Sequence, residues 1–113
     1  MTTTTVRLGE IATARSGDKG TGANVGVIAN SAAVYDYLTR YLTPMRVAEF
    51  MAPLDPGEVR RFELPNLRAF NFLLPTVLAG GGSRSLRIDA QGKTLGQVLL
   101  EMPVDVPEDL MKQ

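Results

Sequence analysis

The stretch Ser16-Gly17-Asp18-Lys19-Gly20-Thr21-Gly22-Ala23-Asn24-Val25-Gly26 constrains the fold more than any other part of this chain. Glycine costs about 1 kcal/mol relative to alanine inside a helix, so this glycine-dense segment does not continue one. Apolar runs flank it on both sides. Val6–Ala14 reads as a strand with Val6, Leu8, Ala12 and Ala14 on one parity and Gly9 as an interruption or bulge. Val25–Ala29 reads as a short buried strand. Between them, Arg15–Ala23 is expected to form a polar loop.

The rest of the chain supplies helices and further strands. Asn30 or Ser31 caps a helix whose apolar face is Val34, Leu38, Tyr41 and Leu42. Thr43-Pro44 restarts it, with Thr43 as cap, Pro44 at the first helical position, and Val47, Phe50 and Met51 on the apolar side. Pro53–Gly57 breaks the pattern. Glu58–Leu64 is expected as a strand with Phe62 and Leu64 facing in and Arg61 and Glu63 facing out. Asn66 then caps a third helix with the stripe Leu67, Phe70, Leu74, Val77 and Leu78, stopped by Gly80-Gly81-Gly82. Ser85–Asp89 and Thr94–Met102 are read as strands around a turn at Ala90–Lys93, although Leu95, Val98, Leu99 and Met102 also fit a helix. The tail from Pro107 is expected to be loosely held. The expectation is one α+β domain over residues 1–113, ferredoxin-like, with helices packed on one face of an antiparallel or mixed sheet.

Composition removes several chemistries. The chain has no cysteine and no histidine. Thiolate nucleophiles, disulfides, cysteine-type zinc sites and the usual neutral-pH base are therefore absent. A catalyst would have to rely on Asp, Glu, Lys or Tyr with a shifted pKa. Twelve basic and twelve acidic residues cancel, so no global field draws nucleic acid or an anionic membrane. That balance does not exclude a local basic patch. The polar start Met1–Thr5 and the lack of a long apolar run lead to the expectation of a cytoplasmic protein with neither nucleic-acid nor membrane partner. No cofactor or metal is expected.

The motifs narrow the glycine-rich stretch further. Gly20, Gly22 and Gly26 miss the dinucleotide fingerprint spacing by one residue and lead into a strand. Gly92-Lys93-Thr94 has Arg87 where a phosphate loop needs glycine. Ser16-Gly17-Asp18-Lys19 spells the S-x-x-K nucleophile motif, but that serine must open a long helix. Two readings of the stretch stand: a solvated turn, or a shaped site for a ligand or partner. Asn71 falls inside the apolar stripe of the expected third helix, and Pro75 would leave its carbonyl without a helical donor. It is expected either to find a local partner or to reach the Ser16–Gly26 stretch. Arg84 and Arg87 flank serines after the triple glycine. They are read either as an anion site or as a helix stop followed by a surface strand.

Several runs resemble the carboxy-terminal domain of the acyclic terpene utilisation (AtuA-like) proteins. They are Leu8-Gly9-Glu10-Ile11-Ala12, Ala14–Gly20, Asn24–Ala29, Glu63-Leu64-Pro65-Asn66-Leu67, Asn71-Phe72, Ser83–Arg87 and Asp89–Gly96. The resemblance spans about residues 7–102. It implies a ferredoxin-like fold and a part in bacterial degradation of acyclic terpenes or related branched acyl-CoA compounds. Full-length members carry a larger amino-terminal region, so this chain is expected to work as a separate subunit beside such a protein.

Three functions follow as expectations. The first is an accessory subunit that docks on a larger enzyme and lends it the Ser16–Gly26 stretch. The second is a free-standing enzyme or binding protein for an acyl-CoA or other carboxylate. In that case Lys19 and Arg84 hold the anion, and Asp18 is the candidate catalytic base. The third is a structural homo-oligomer, and self-association is compatible with all three. The candidate ligand-binding set is Ser16, Asp18, Lys19, Asn24, Asn71, Ser83 and Arg84.

Overall fold

A computed structural model of the chain describes residues 2–19, 22–77 and 95–112. Six strands and three helices are seen among them: β1 Thr3–Arg7, β2 Ala12–Lys19, β3 Gly22–Ala29, α1 Ala32–Tyr41, α2 Pro44–Met51, β4 Arg60–Leu64, β5 Ala69–Leu74, α3 Leu95–Leu99 and β6 Pro103–Pro107. The main sheet has four strands in the order β2-β3-β5-β4, and each neighbouring pair is antiparallel. β3 and β4 therefore run parallel with β5 inserted between them, and α1 and α2 make the connection. This is the split β-α-β arrangement of ferredoxin-like folds. β1 and β6 pair separately as a two-stranded antiparallel ribbon.

One face of the main sheet carries the core. Val25 lies opposite Phe72, Val27 opposite Phe70 and Ala23 opposite Leu74, and all six are buried. The helices cover this face: α1 lies against β3, and α3 against β2 and β3. Val34, Leu38, Leu42, Val47, Met51, Leu95 and Leu99 complete one continuous apolar cluster with the sheet residues. Val104 and Val106 join it from β6.

Helix starts agree with the residues expected to set them. Ser31 accepts a hydrogen bond from the Val34 backbone N–H at 3.1 Å. Thr43 does the same for Arg46 at 3.2 Å, with Pro44 opening α2.

Other expectations need correction. Val6–Ala14 is two strands, because Leu8–Glu10 forms a 3₁₀ turn between them. That turn is tied to the end of α3 by Leu8 N–H on the Met102 carbonyl at 2.8 Å and Gly9 N–H on that of Leu100 at 2.9 Å. The expected loop Arg15–Ala23 is largely strand, since β2 runs to Lys19 and β3 begins at Gly22. Glycine and polar residues are tolerated there because alternate positions of these strands lie on a face that no helix among the described residues covers.

The third helix expected from Asn66 is not formed. Pro65–Leu67 is a 3₁₀ turn, Arg68 is left-handed at φ 51°, and Ala69–Leu74 is β5. Phe70, Phe72 and Leu74 alternate, and burial between β3 and β4 favours that period over the helical one. With no helix, the supposed loss of a donor to the Asn71 carbonyl at Pro75 does not arise.

The parity of β4 is also reversed. Phe62 and Leu64 are exposed, and Arg61 points inward. The Arg61 guanidinium donates to the carbonyls of Thr39 and Leu42 at 2.9 Å each, at the carboxy-terminal end of α1. It also lies 5.2 Å from the centre of the Phe70 ring and pairs with Glu63 at 3.0 Å. A helix end offering bare carbonyls selects a cation at this inward position.

Leu95–Leu99 is helix and not strand, so the stripe Leu95, Val98, Leu99 and Met102 follows the helical alternative. The tail is held: Glu108–Lys112 forms a 3₁₀ turn, Leu110 packs on the core, and Glu108 N–H reaches the Thr2 carbonyl at 3.2 Å. The expected strand Ser85–Asp89, the turn Ala90–Lys93 and the stop Gly80–Gly82 lie outside the described residues.

Candidate functional site

The face of the main sheet turned away from the helices is laid out by the strand register. Its first row is Thr13, Ile28, Ala69 and Leu64. The second is Arg15, Gly26, Asn71 and Phe62. The third is Gly17, Asn24, Leu73 and Arg60. Three of its apolar side chains stand open, Ile28 at 42%, Leu64 at 41% and Phe62 at 48% exposure, and Leu67 on the adjoining turn reaches 66%. Ala69 is buried yet belongs to this face and not to the main core, because Ile28 and Leu64 flank it.

At the centre of the face, Asn24 Nδ2 donates to Asn71 Oδ1 at 3.2 Å, and both residues are half-buried. The glycines beside them keep the backbone bare. A Cβ on Gly17 would stand 3.1 Å from Asn24 Oδ1, so glycine makes room for this amide. Among the described residues, a Cβ on Gly26 would meet nothing closer than the Arg15 carbonyl at 3.9 Å, so its lack of a side chain only lowers the surface. On Gly22 it would stand 2.7 Å from the Pro75 carbonyl oxygen, which fixes glycine where β3 passes the end of β5.

Arginines rim the face. Arg15 and Arg60 occupy outward positions on the two outermost strands of the described sheet, and Arg68 follows Leu67 on the turn. All three are exposed. None forms an ion pair among the described residues, whereas Arg7 pairs with Glu101 and Arg61 with Glu63. No outward position of the four strands carries Asp or Glu.

The expected ligand-binding set divides on this geometry. Asn24 and Asn71 are brought together, so Asn71 does reach the glycine-rich stretch, as a strand neighbour and not from a helix. Ser16 pairs with Val25 and so has the parity of the opposite, helix-covered face, where it is exposed near the end of β2. Asp18 pairs with Ala23 and Lys19 with Gly22 in the hairpin ladder. Ser83 and Arg84 lie outside the described residues. The residues that sequence reasoning passed over as site members are Arg15, Arg60, Phe62, Leu64 and Arg68. Their signal was the alternation Arg60-x-Phe62-x-Leu64, which gives one edge strand an apolar and basic outer side.

A second polar cluster lies where α1, α2 and β6 meet. The rings of Tyr37 and Tyr41 stack at 5.7 Å, and the Arg46 guanidinium sits 4.1 Å from the Tyr41 ring centre. The Tyr37 hydroxyl donates to the Asp105 carbonyl, and the Asp105 N–H donates to the Tyr41 hydroxyl at 3.3 Å. Burial, reinforced by Tyr41 and Asp105, raises the Tyr37 pKa above its ordinary 10.0. An open cavity of about 270 Å³ lies beside this cluster, lined by Tyr41, Arg46, Glu49, Phe50, Met102 and Pro103. Among the described residues, no group of three or more acidic side chains is placed to hold a metal ion. No helix among them is long and apolar enough to cross a membrane.

The model of one protein family, the AtuA ferredoxin-like domain, matches residues 6–105. No curated protein and no solved structure matches the chain.

Proposed function

Because the chain belongs to the AtuA ferredoxin-like domain family, a membership that suggests a part in acyclic terpene utilisation, we propose that it is a non-catalytic accessory subunit. It acts by docking on a larger protein of that process through the open face of its main sheet.

The observation that carries this reading is the face itself. An antiparallel sheet with one solvated side ordinarily alternates apolar-in and polar-out. Here the solvated side exposes Ile28, Phe62 and Leu64, with Leu67 beside them. Large apolar side chains exposed together on one side of a sheet support an interaction site there. The chain also lacks the imidazole and thiol on which neutral-pH acid–base and nucleophilic catalysis usually rest. What the fold offers is a sheet surface with exposed apolar side chains.

Co-expression with a larger acyclic terpene utilisation protein of the same genome tests this. The two proteins are expected to co-elute in size exclusion at fixed stoichiometry, and the double substitution Phe62→Asp, Leu64→Asp is expected to separate them. A larger protein that elutes alone and keeps full activity without this chain contradicts the reading.

A second reading draws on the Asn24–Asn71 pair above the bare backbone of Gly17 and Gly26, with Arg15 alongside. Amides and a guanidinium around a shallow floor suit a carboxylate or phosphate, an acyl-CoA among them. Thermal-shift titration with CoA, acyl-CoAs and inorganic phosphate tests it. A shift abolished by Arg15→Ala supports an anion site, and no shift with any of them contradicts it.

A further inference from the structure

Resting on the accessory-subunit reading, we infer the chemistry of the surface that this chain docks on: an apolar patch rimmed by carboxylates, on a protein other than itself. The inference comes from how charge is distributed, which the balanced totals of the sequence conceal. The chain carries equal numbers of acidic and basic residues. Every outward position of the main sheet is nevertheless apolar, neutral or basic. Carboxylates among the described residues stand elsewhere: Glu10 in the first 3₁₀ turn, Asp36 on α1, Glu49 on α2, Asp55 and Glu58 ahead of β4, Glu63 at an inward-parity position of β4, Glu101 after α3, and Asp105, Glu108 and Asp109 toward the carboxy terminus.

The state of the arginines matters as much as their number. Arg15 stands at one edge of the face, Arg60 at the other and Arg68 on the turn, and none has an acidic partner among the described residues. Arg7 and Arg61, elsewhere, each have one. Unpaired guanidiniums around an exposed apolar centre form half of an interface whose other half must be negative at its rim. Guanidinium also presents a planar fork that suits carboxylates.

The same charge disfavours a second copy of the chain on this face. Two identical faces brought together would set arginine-rimmed surfaces against each other with no carboxylate on either. Like charges juxtaposed at an interface oppose association. Single-stranded nucleic acid fits less well, because such surfaces stack successive bases on several aromatic rings and, among the described residues, Phe62 is the only aromatic one at an outward position of the sheet. The occupant with the right chemistry is a different protein bearing Asp and Glu around apolar side chains.

The test measures the Kd between this chain and the larger protein of the co-expression experiment, across salt and across variants. Raising salt from about 0.05 to about 0.5 M is expected to weaken the wild-type complex about tenfold or more. Arg15→Glu combined with Arg60→Glu is expected to weaken it by a similar factor at low salt and to remove most of the salt dependence. Arg40→Glu, a single charge reversal on α1, is expected to leave Kd unchanged. Thermal melting of each variant alone confirms that the fold is retained. A salt-insensitive complex that survives Arg15→Glu, Arg60→Glu but is lost in Phe62→Asp, Leu64→Asp overturns the carboxylate rim and leaves the accessory reading standing. Absence of any wild-type complex overturns both. Two further results overturn the inference: a concentration-dependent dimer of the isolated chain broken by Phe62→Asp, and binding of a single-stranded oligonucleotide lost with the arginines. These assign the face to a second copy or to nucleic acid.

Discussion

Two glycines of β3 predict different outcomes for the same substitution. Gly22→Ala sets a Cβ 2.7 to 2.9 Å from the carbonyl oxygens of Pro75 and Leu74, so backbone must move. Overpacking of this kind is expected to cost about 1–3 kcal/mol, read by urea unfolding. Gly26→Ala makes only an ordinary contact, with the Arg15 carbonyl at 3.9 Å, and is expected to change stability by less than about 1 kcal/mol in either direction. If Gly26→Ala proves as damaging as Gly22→Ala, the outer face is not open at its centre.

Two inward polar groups also differ in kind. The Tyr35 hydroxyl is buried without a hydrogen-bond partner among the described residues while its ring stacks on Phe70 at 4.8 Å. Tyr35→Phe is therefore expected to raise stability by about 1 kcal/mol, because it removes an unsatisfied donor and keeps the ring. Arg61 is satisfied by two carbonyls, and Arg61→Ala is expected to cost about 2–3 kcal/mol in the same unfolding measurement. Tyr37 sets a pH limit. Its pKa is raised in the fold, first by burial and then by Tyr41, so its protonated form is favoured there. The stability it lends is complete below the unfolded value of about 10 and is lost as pH rises through the folded one. Tyr37→Phe is expected to flatten the decline of melting temperature above that pH.

At the scale of elements, what was legible followed local chemistry. α1 and α2 announce themselves through Ser31, Thr43 and Pro44, because a cap acts within one turn and needs no distant partner. β5 was not legible, because Leu67, Phe70, Leu74, Val77 and Leu78 satisfy a helical period as well as Phe70, Phe72 and Leu74 satisfy a strand period. The decision belongs to β3 and β4, which flank the segment and leave it buried on one face. The inward direction of Arg61 was hidden for a similar reason. It depends on the end of α1, some twenty residues earlier in the chain, ending against this strand. The candidate site was half legible. Asn71 was singled out as a polar residue in an apolar stripe and Asn24 as one of the polar residues of the glycine-rich stretch, and the register brings them within hydrogen-bonding distance. Arg15, Arg60 and Phe62 look like ordinary surface residues until the register aligns them in neighbouring rows.

The whole molecule has two faces with different duties. The helix-covered face supplies cohesion, and β1 and β6 join the two ends of the described chain into one ribbon, with Val104 and Val106 in the core. Removing residues 103–113 is expected to unfold the protein or lower its melting temperature steeply, since burying two valines contributes about 1.5–3 kcal/mol each. The outer face, where Ile28, Phe62 and Leu64 stand exposed, is the proposed docking surface.

Hydroxyl-radical footprinting of the chain, free and in complex with the larger acyclic terpene utilisation protein, tests that division most directly. Phe62, Leu64, Ile28 and Leu67 are expected to lose reactivity on binding, while Met45 on α2, exposed at 71%, and Tyr37 keep theirs. Protection of Met45 and Tyr37 with Phe62 and Leu64 unchanged would contradict the account and move the docking surface to the helices.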